Sequence, residues 1–149
     1  MGQFDHVPKA LMKLGVERVF HKVAQRPGKP LWFGVGPEGQ RVFGLPGNPV
    51  SATCCATRYV IPMLLAGQGV MRPETYSVQL AAEASRVSTL TRYLPVRVTH
   101  DESGRAMAVP HPMPTSGDFS FLAATDGFVE LAPGEGLAPA GSHAVFHGW

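Results

Sequence analysis

Three cations, Lys22, Arg26 and Lys29, fall within eight residues around Pro27-Gly28, with no carboxylate among them. Arginine grips an oxyanion through its planar fork, and lysine acts as a point charge. Such a cluster suits phosphate or another oxyanion. A solvated strand end, where lysines also discourage edge pairing, explains the same residues. A second stretch, Gly44-Leu-Pro-Gly-Asn-Pro-Val-Ser51, is dense in turn formers. Asn48 is a good helix N-cap and Pro49 suits the first helical position. Glycines let a ligand approach the backbone, and the open N–H groups of a helix start favour an anion. On the turn alone, a well-capped connection with no ligand is the plainer reading. Asp5 could ligate a divalent ion or orient a reacting group, or could simply cap a helix. Ser51 stands outside any Gly-x-Ser-x-Gly elbow, so it is expected to supply a hydroxyl or backbone N–H near the helix start. The six histidines (6, 21, 100, 111, 143, 147) are scattered and give no zinc pattern.

These residues need elements to hold them. Val7, Ala10, Leu11 and Leu14 form an apolar stripe at helical spacing, with Asp5 a candidate N-cap and Gly15 a natural C-terminal cap. Residues 16–25 read as one strand, with Phe20, Lys22, Ala24 and Arg26 on one face. Pro27-Gly28-Lys29-Pro30 ends it in a turn. Residues 31–35 form a second strand, and Gly36-Pro37-Glu38-Gly39 a hairpin turn into Arg41–Phe43. A helix follows Asn48 to about Leu65, with Val50, Cys54, Thr57, Ile61 and Leu64 on its buried side and Pro62 kinking or ending it. Beyond Gly69 the character changes to short strands between turns: 76–84, 93–99, 106–109, 128–131 and 144–146. That pattern predicts a small barrel or sandwich. The Ser116-Gly117-Asp118 turn could also contact a ligand.

Composition sets the outer bounds. A hydrophobic content of 44% supports a real core, and no apolar run looks long enough to span a bilayer. A net charge of +2 makes no case for nucleic acid. Cys54 and Cys55 are neighbours inside a predicted helix, poorly placed to bond each other, and read as small core residues in a reducing compartment. The 17 glycines and 14 prolines predict many tight turns.

The order Lys22-Val-Ala-Gln-Arg-Pro-Gly-Lys-Pro30, then Leu-Trp-Phe-Gly, then Gly44-Leu-Pro-Gly-Asn-Pro-Val-Ser51, resembles the molybdopterin molybdenumtransferase family (the MoeA and gephyrin E-domain family). Gly2-x-x-Asp5 fits the end of that family's glycine-rich loop. Ser116-Gly117 followed by Asp126-Gly127 fits its C-terminal barrel.

The resemblance implies an α/β class, with residues 1–69 as the C-terminal half of a three-layer molybdopterin-binding domain. Residues 70–149 would be a small all-β barrel-like domain. It implies a chain matching only the last part of a family member, one expected to be inactive alone and to self-associate. The implied reaction inserts molybdate into adenylylated molybdopterin and releases AMP, with a divalent cation, usually magnesium, assisting. It also implies a cytoplasmic homodimer and an upstream molybdopterin adenylyltransferase as partner. By motif, Asp5, Lys22, Pro46 and Pro49 take active-site positions, and Arg26 stands where the family commonly has a second lysine. Lys29, Gly44, Gly47, Asn48 and Ser51 join them as substrate-binding candidates, and Asp5 as the metal ligand. A non-catalytic scaffold of the same fold is the rival reading.

Overall fold

The computed structural model describes residues 6–70, 75–111 and 118–149. Asp5, Ser116 and Gly117 therefore lie outside the described residues.

The chain opens with helix α1 (Val7–Lys13). Gly15, at φ +79°, ends it as expected, with Val16 N–H reaching back to the Leu11 carbonyl at 3.1 Å. The apolar stripe of α1 is not buried: Val7 and Leu14 are 55% and 73% exposed. Strand β1 (Glu17–His21) follows and pairs antiparallel with β3 (Trp32–Val35), which pairs with β4 (Arg41–Gly44). The hairpin turn at 36–39 between β3 and β4 forms as its glycines and proline predict. Phe20, Phe33 and Phe43 stack across one face, with ring centroids 5.5 and 4.8 Å apart.

The single strand expected over 16–25 is broken. Lys22 takes a left-handed conformation at φ +75°, which no continuous strand can contain. Its N–H donates to the Leu31 carbonyl at 2.8 Å, and the chain turns. Residues Gln25–Arg26 then form a separate strand, β2, which leaves the first sheet and pairs parallel with β7 (Thr91–His100).

The long helix begins where Asn48 and Pro49 place it. It runs as α2 (Pro49–Cys55), a π-helical turn (Ala56–Val60) and α3 (Ile61–Gly67). Pro62 has no N–H to return to the preceding turn, and the wider π turn just before it absorbs the mismatch. Val50, Cys54 and Cys55 are buried, as the apolar spacing requires. Ile61 and Leu64 are not: they are 45% and 53% exposed, because the π turn shifts the face that α3 presents. Against the sequence reading, the 19 residues Pro49–Gly67 are long and apolar enough to cross a membrane by length and composition. Here the first half of this helix packs on the barrel through Val50 and Cys54.

Strands β5 (Ser77–Leu80), β7, β8 (Ala106–Pro110), β9 (Gly127–Leu131) and β11 (His143–Gly148) close on themselves in the order β7-β8-β5-β11-β9-β7. A two-strand ribbon of β6 (Ala84–Ser85) and β10 (Leu137–Ala138) flanks the barrel. Alternation sends Val78, Leu80, Leu94, Val96, Val129, Leu131 and Phe146 inward into one core. On the outer face, Tyr93 and Phe128 are buried too, under Val50 and Cys54 of α2 and Phe121 of a 3-10 helix (Ser120–Ala124). The barrel is thus the expected all-β part, with the helix seated on its outside.

Candidate anion-binding site

The register of the first sheet decides what comes together. His21, at the end of β1, pairs with Trp32, and Trp32 pairs with Gly44 at the end of β4. The loop carrying Lys22 and Lys29 and the turn carrying Pro46 and Gly47 therefore leave the same end of the sheet. The helix joins them. The Cys55 thiol donates to the Gly28 carbonyl at 3.7 Å, so α2 starts at the turn and lies against the loop.

The loop is tied across itself. Besides the Lys22 bond, Val23 N–H donates to the Lys29 carbonyl at 3.0 Å and Leu31 N–H to the Gly28 carbonyl at 3.1 Å. Gly28 sits at φ +95°, and a Cβ there would come within 2.6 Å of Cys55 Sγ, so only glycine fits. Lys22, Arg26 and Lys29 are all exposed around this frame. A non-glycine residue in the left-handed region is costly, and such conformations cluster at functional sites.

Sequence reasoning missed a fourth cation. β2 pairs in register with β7, which sets Arg26 directly beside Arg92. The Arg92 guanidinium is held in place by donating to the carbonyl and hydroxyl of Ser85. Burial first, and then the adjacent Arg26 charge, push the Arg92 pKa below its ordinary value. Two cations side by side repel, and an anion between them relieves that repulsion. Among the described residues, none of Lys22, Arg26, Lys29 and Arg92 is paired with a carboxylate. Nothing in the local sequence around Arg92 marks it. Only the parallel pairing of a two-residue strand brings it here.

At the helix start, Asn48 Oδ1 accepts from Ser51 N–H at 3.0 Å and from Ser51 Oγ at 3.2 Å. Both Ser51 donors named as candidates are thus turned to the cap. Gly44 packs on Trp32, where an added Cβ would lie 3.2 Å from Trp32 Cβ, while Gly47 faces open space. The structure brings Lys22, Lys29, Gly44, Pro46, Gly47, Asn48 and Pro49 to one end of the first sheet, while Arg26 lies in β2 on the barrel sheet beside Arg92; it does not describe Asp5. Among the described residues no three His, Cys, Asp or Glu side chains gather to hold a metal.

Behind the site runs a polar seam between helix and barrel. Arg58 Nε donates to Tyr93 Oη at 3.2 Å and lies 3.7 Å from Glu130, which also takes His147 Nε2 at 3.0 Å. Burial raises the Tyr93 pKa, against the pull of Arg58.

A basic loop and a glycine-proline turn at one end of an open sheet, joined to a closed five-strand barrel, define an α/β unit coupled to a β-barrel. A model described as "Probable molybdopterin binding domain" matches residues 1–66, and one described as "MoeA C-terminal region (domain IV)" matches residues 77–146. The molybdopterin molybdenumtransferase of Synechocystis is 36% identical over 149 residues, covering 99% of this chain and 36% of the relative. That of Synechococcus elongatus is 51% identical over 73 residues, 48% of this chain and 18% of the relative. A crystal structure of a molybdopterin biosynthesis MoeA protein from Pyrococcus horikoshii superposes with a TM-score of 0.79 at 31% identity, over 97% of this chain and 36% of that one. The chain belongs to the molybdopterin molybdenumtransferase (MoeA) family and corresponds to the C-terminal part of its members. It spans about a third of the length of the relatives from Synechocystis and Pyrococcus.

Proposed function

We propose that this chain forms the C-terminal portion of a molybdopterin molybdenumtransferase, which inserts molybdate into adenylylated molybdopterin and releases AMP. The observation that carries the reading is the basic loop of Lys22, Arg26 and Lys29, with Arg92 paired beside Arg26 and none of the four paired with a carboxylate, leaving the same sheet end as the Gly44–Pro49 turn. Releasing AMP breaks a phosphoanhydride bond, and negative charge grows on the leaving phosphate. Fixed cations stabilise that charge without reorganising. Molybdate is itself a tetrahedral dianion and suits the same field.

In this reading Lys22 and Arg26 face the reacting anion, and Lys29 with Gly44, Pro46, Gly47, Asn48, Pro49 and Ser51 shape the pocket for the pterin nucleotide. The arginine at 26 holds two oxygens of one anion where a lysine would hold a point contact. Asp5 is proposed as ligand of a divalent cation, magnesium, whose chemistry when bound is neutralisation of phosphate charge. Residues 1–69 would then be the molybdopterin-binding half-domain and 70–149 the barrel domain. The working unit would be a cytoplasmic homodimer, supplied by a molybdopterin adenylyltransferase.

Calorimetric titration of the chain with adenylylated molybdopterin tests the reading. Lys22→Ala and Arg26→Ala are each expected to weaken binding about tenfold, the loss of one charge-assisted contact of about 1.4 kcal/mol. Binding unmoved by either substitution would sink it. A single-turnover assay with molybdate on this polypeptide is expected to release no AMP. Release would show that these 149 residues suffice.

A further inference from the structure

Gln25 is a polar side chain only 2% exposed, and its hydrogen-bonding capacity is spent on three different elements. Its Nε2 donates to the Pro27 carbonyl at 2.9 Å and to Cys55 Sγ at 3.7 Å. Its Oε1 accepts from the Tyr59 hydroxyl. Cys55 in turn donates to the Gly28 carbonyl, so two successive carbonyls of the basic loop are gripped from one side. The same amide packs where a Cβ on Gly28 would come 2.5 Å from Nε2. The Gln25 backbone meanwhile pairs with Thr91 on the barrel, immediately before Arg26 meets Arg92.

We infer that Gln25, locked by Tyr59 and Cys55, is the positioning residue that fixes the basic loop, and so sets where Arg26 and Lys29 hold their anion. Its side chain contacts the loop, helix α2 and the π turn together. The placement has a physical logic. Exposed lysines and arginines wander unless their backbone is fixed, and a buried amide with both donors and its acceptor engaged is costly to displace. Tyr59 completes the lock. Burial raises its pKa, so the hydroxyl keeps the proton that it donates to Gln25. Burial likewise raises the Cys55 pKa, to about 11, which keeps its thiol a donor to Gly28.

The inference rests on the proposed anion site, and the test separates the two. Three variants, Gln25→Leu, Tyr59→Phe and the double Gln25→Leu/Tyr59→Phe, are compared with the wild-type chain. Binding of adenylylated molybdopterin, the urea midpoint and hydrogen exchange at the Val23 and Leu31 amides are measured. Gln25→Leu is expected to raise the Kd about tenfold, lower the midpoint and speed exchange at Val23 and Leu31, while amides in α2 stay protected. The double variant also removes the half-buried Tyr59 hydroxyl, whose Gln25 acceptor is gone. Its midpoint should recover while its Kd and loop exchange stay impaired, an uncoupling that a merely structural role does not produce. Kd and loop exchange recovering together with the midpoint would overturn the inference. So would Gln25→Leu leaving loop exchange at the wild-type rate. Wild-type chain that fails to bind, with loop exchange still faster in Gln25→Leu, would sink the anion-site reading and leave the lock standing.

Discussion

The two parts of this molecule bury their apolar residues in different ways. The barrel closes its sheet, so its strands have no free edge around the ring, and its interior holds a core of its own from Val78 to Phe146. The first part has three strands in an open antiparallel sheet, and α1 buries no residue. Of its buried helical residues, Val50 and Cys54 lie against the barrel's outer face and Cys55 against the basic loop, none of them against their own sheet. Stability is therefore concentrated in one part and the candidate chemistry in the other. The loop that carries the cations gains order by contact with the barrel and the helix.

Substitutions graded by position test that contrast. Phe128→Ala removes the ring that links α2 to the barrel and is expected to cost about 3–5 kcal/mol in urea unfolding. A loss under about 1 kcal/mol would mean that helix and barrel are not energetically joined. A rise in pH should come next. The Cys55 thiol ionises near 9.0 when exposed and at about 11 in the fold, raised by burial against the opposing Gln25 hydrogen bond. Between those values the folded state keeps a proton that the unfolded state has lost, so stability falls as pH rises past 9. Cys54 is shifted in the same direction, again chiefly by burial. Urea midpoints at pH 8 and pH 10.5 check this, and Cys55→Ala should flatten the slope. A midpoint that rises with pH would contradict the burial of both thiols.

Smaller effects belong to the open part. Asn48→Ala removes the cap at the helix start and is expected to cost about 1 kcal/mol, read from the same unfolding curves. Leu64→Ala, on the exposed side of α3, should change stability by less than about 0.5 kcal/mol. A much larger loss would show that something covers that face in solution.

Local chemistry was readable in the sequence where local chemistry decides. The Gly36–Gly39 hairpin, the Asn48 cap, the Gly15 stop and the alternation over β7 all depend on residues close in the chain. The cation cluster and the turn at Gly44 could likewise be picked out by residue type. What could not be read depends on distant partners. Lys22 leaves the strand region because Leu31 and the loop closure hold it there, and no propensity of lysine predicts that. The exposure of Ile61 and Leu64 follows from a π turn that Pro62 favours but helical periodicity cannot place. Arg92 enters the site only through a pairing between residues more than sixty positions apart.

That pairing has a consequence for how the gene could be divided. β2 lies on β7 as an extra strand, and α2 lies over Tyr93 and Phe128, so the two parts share both hydrogen bonds and a core. The connection between Val70 and Thr75 is then not what keeps them together. Residues up to 70 and residues from 75 onward, expressed as separate polypeptides, should find each other by complementation, as the halves of a split protein do.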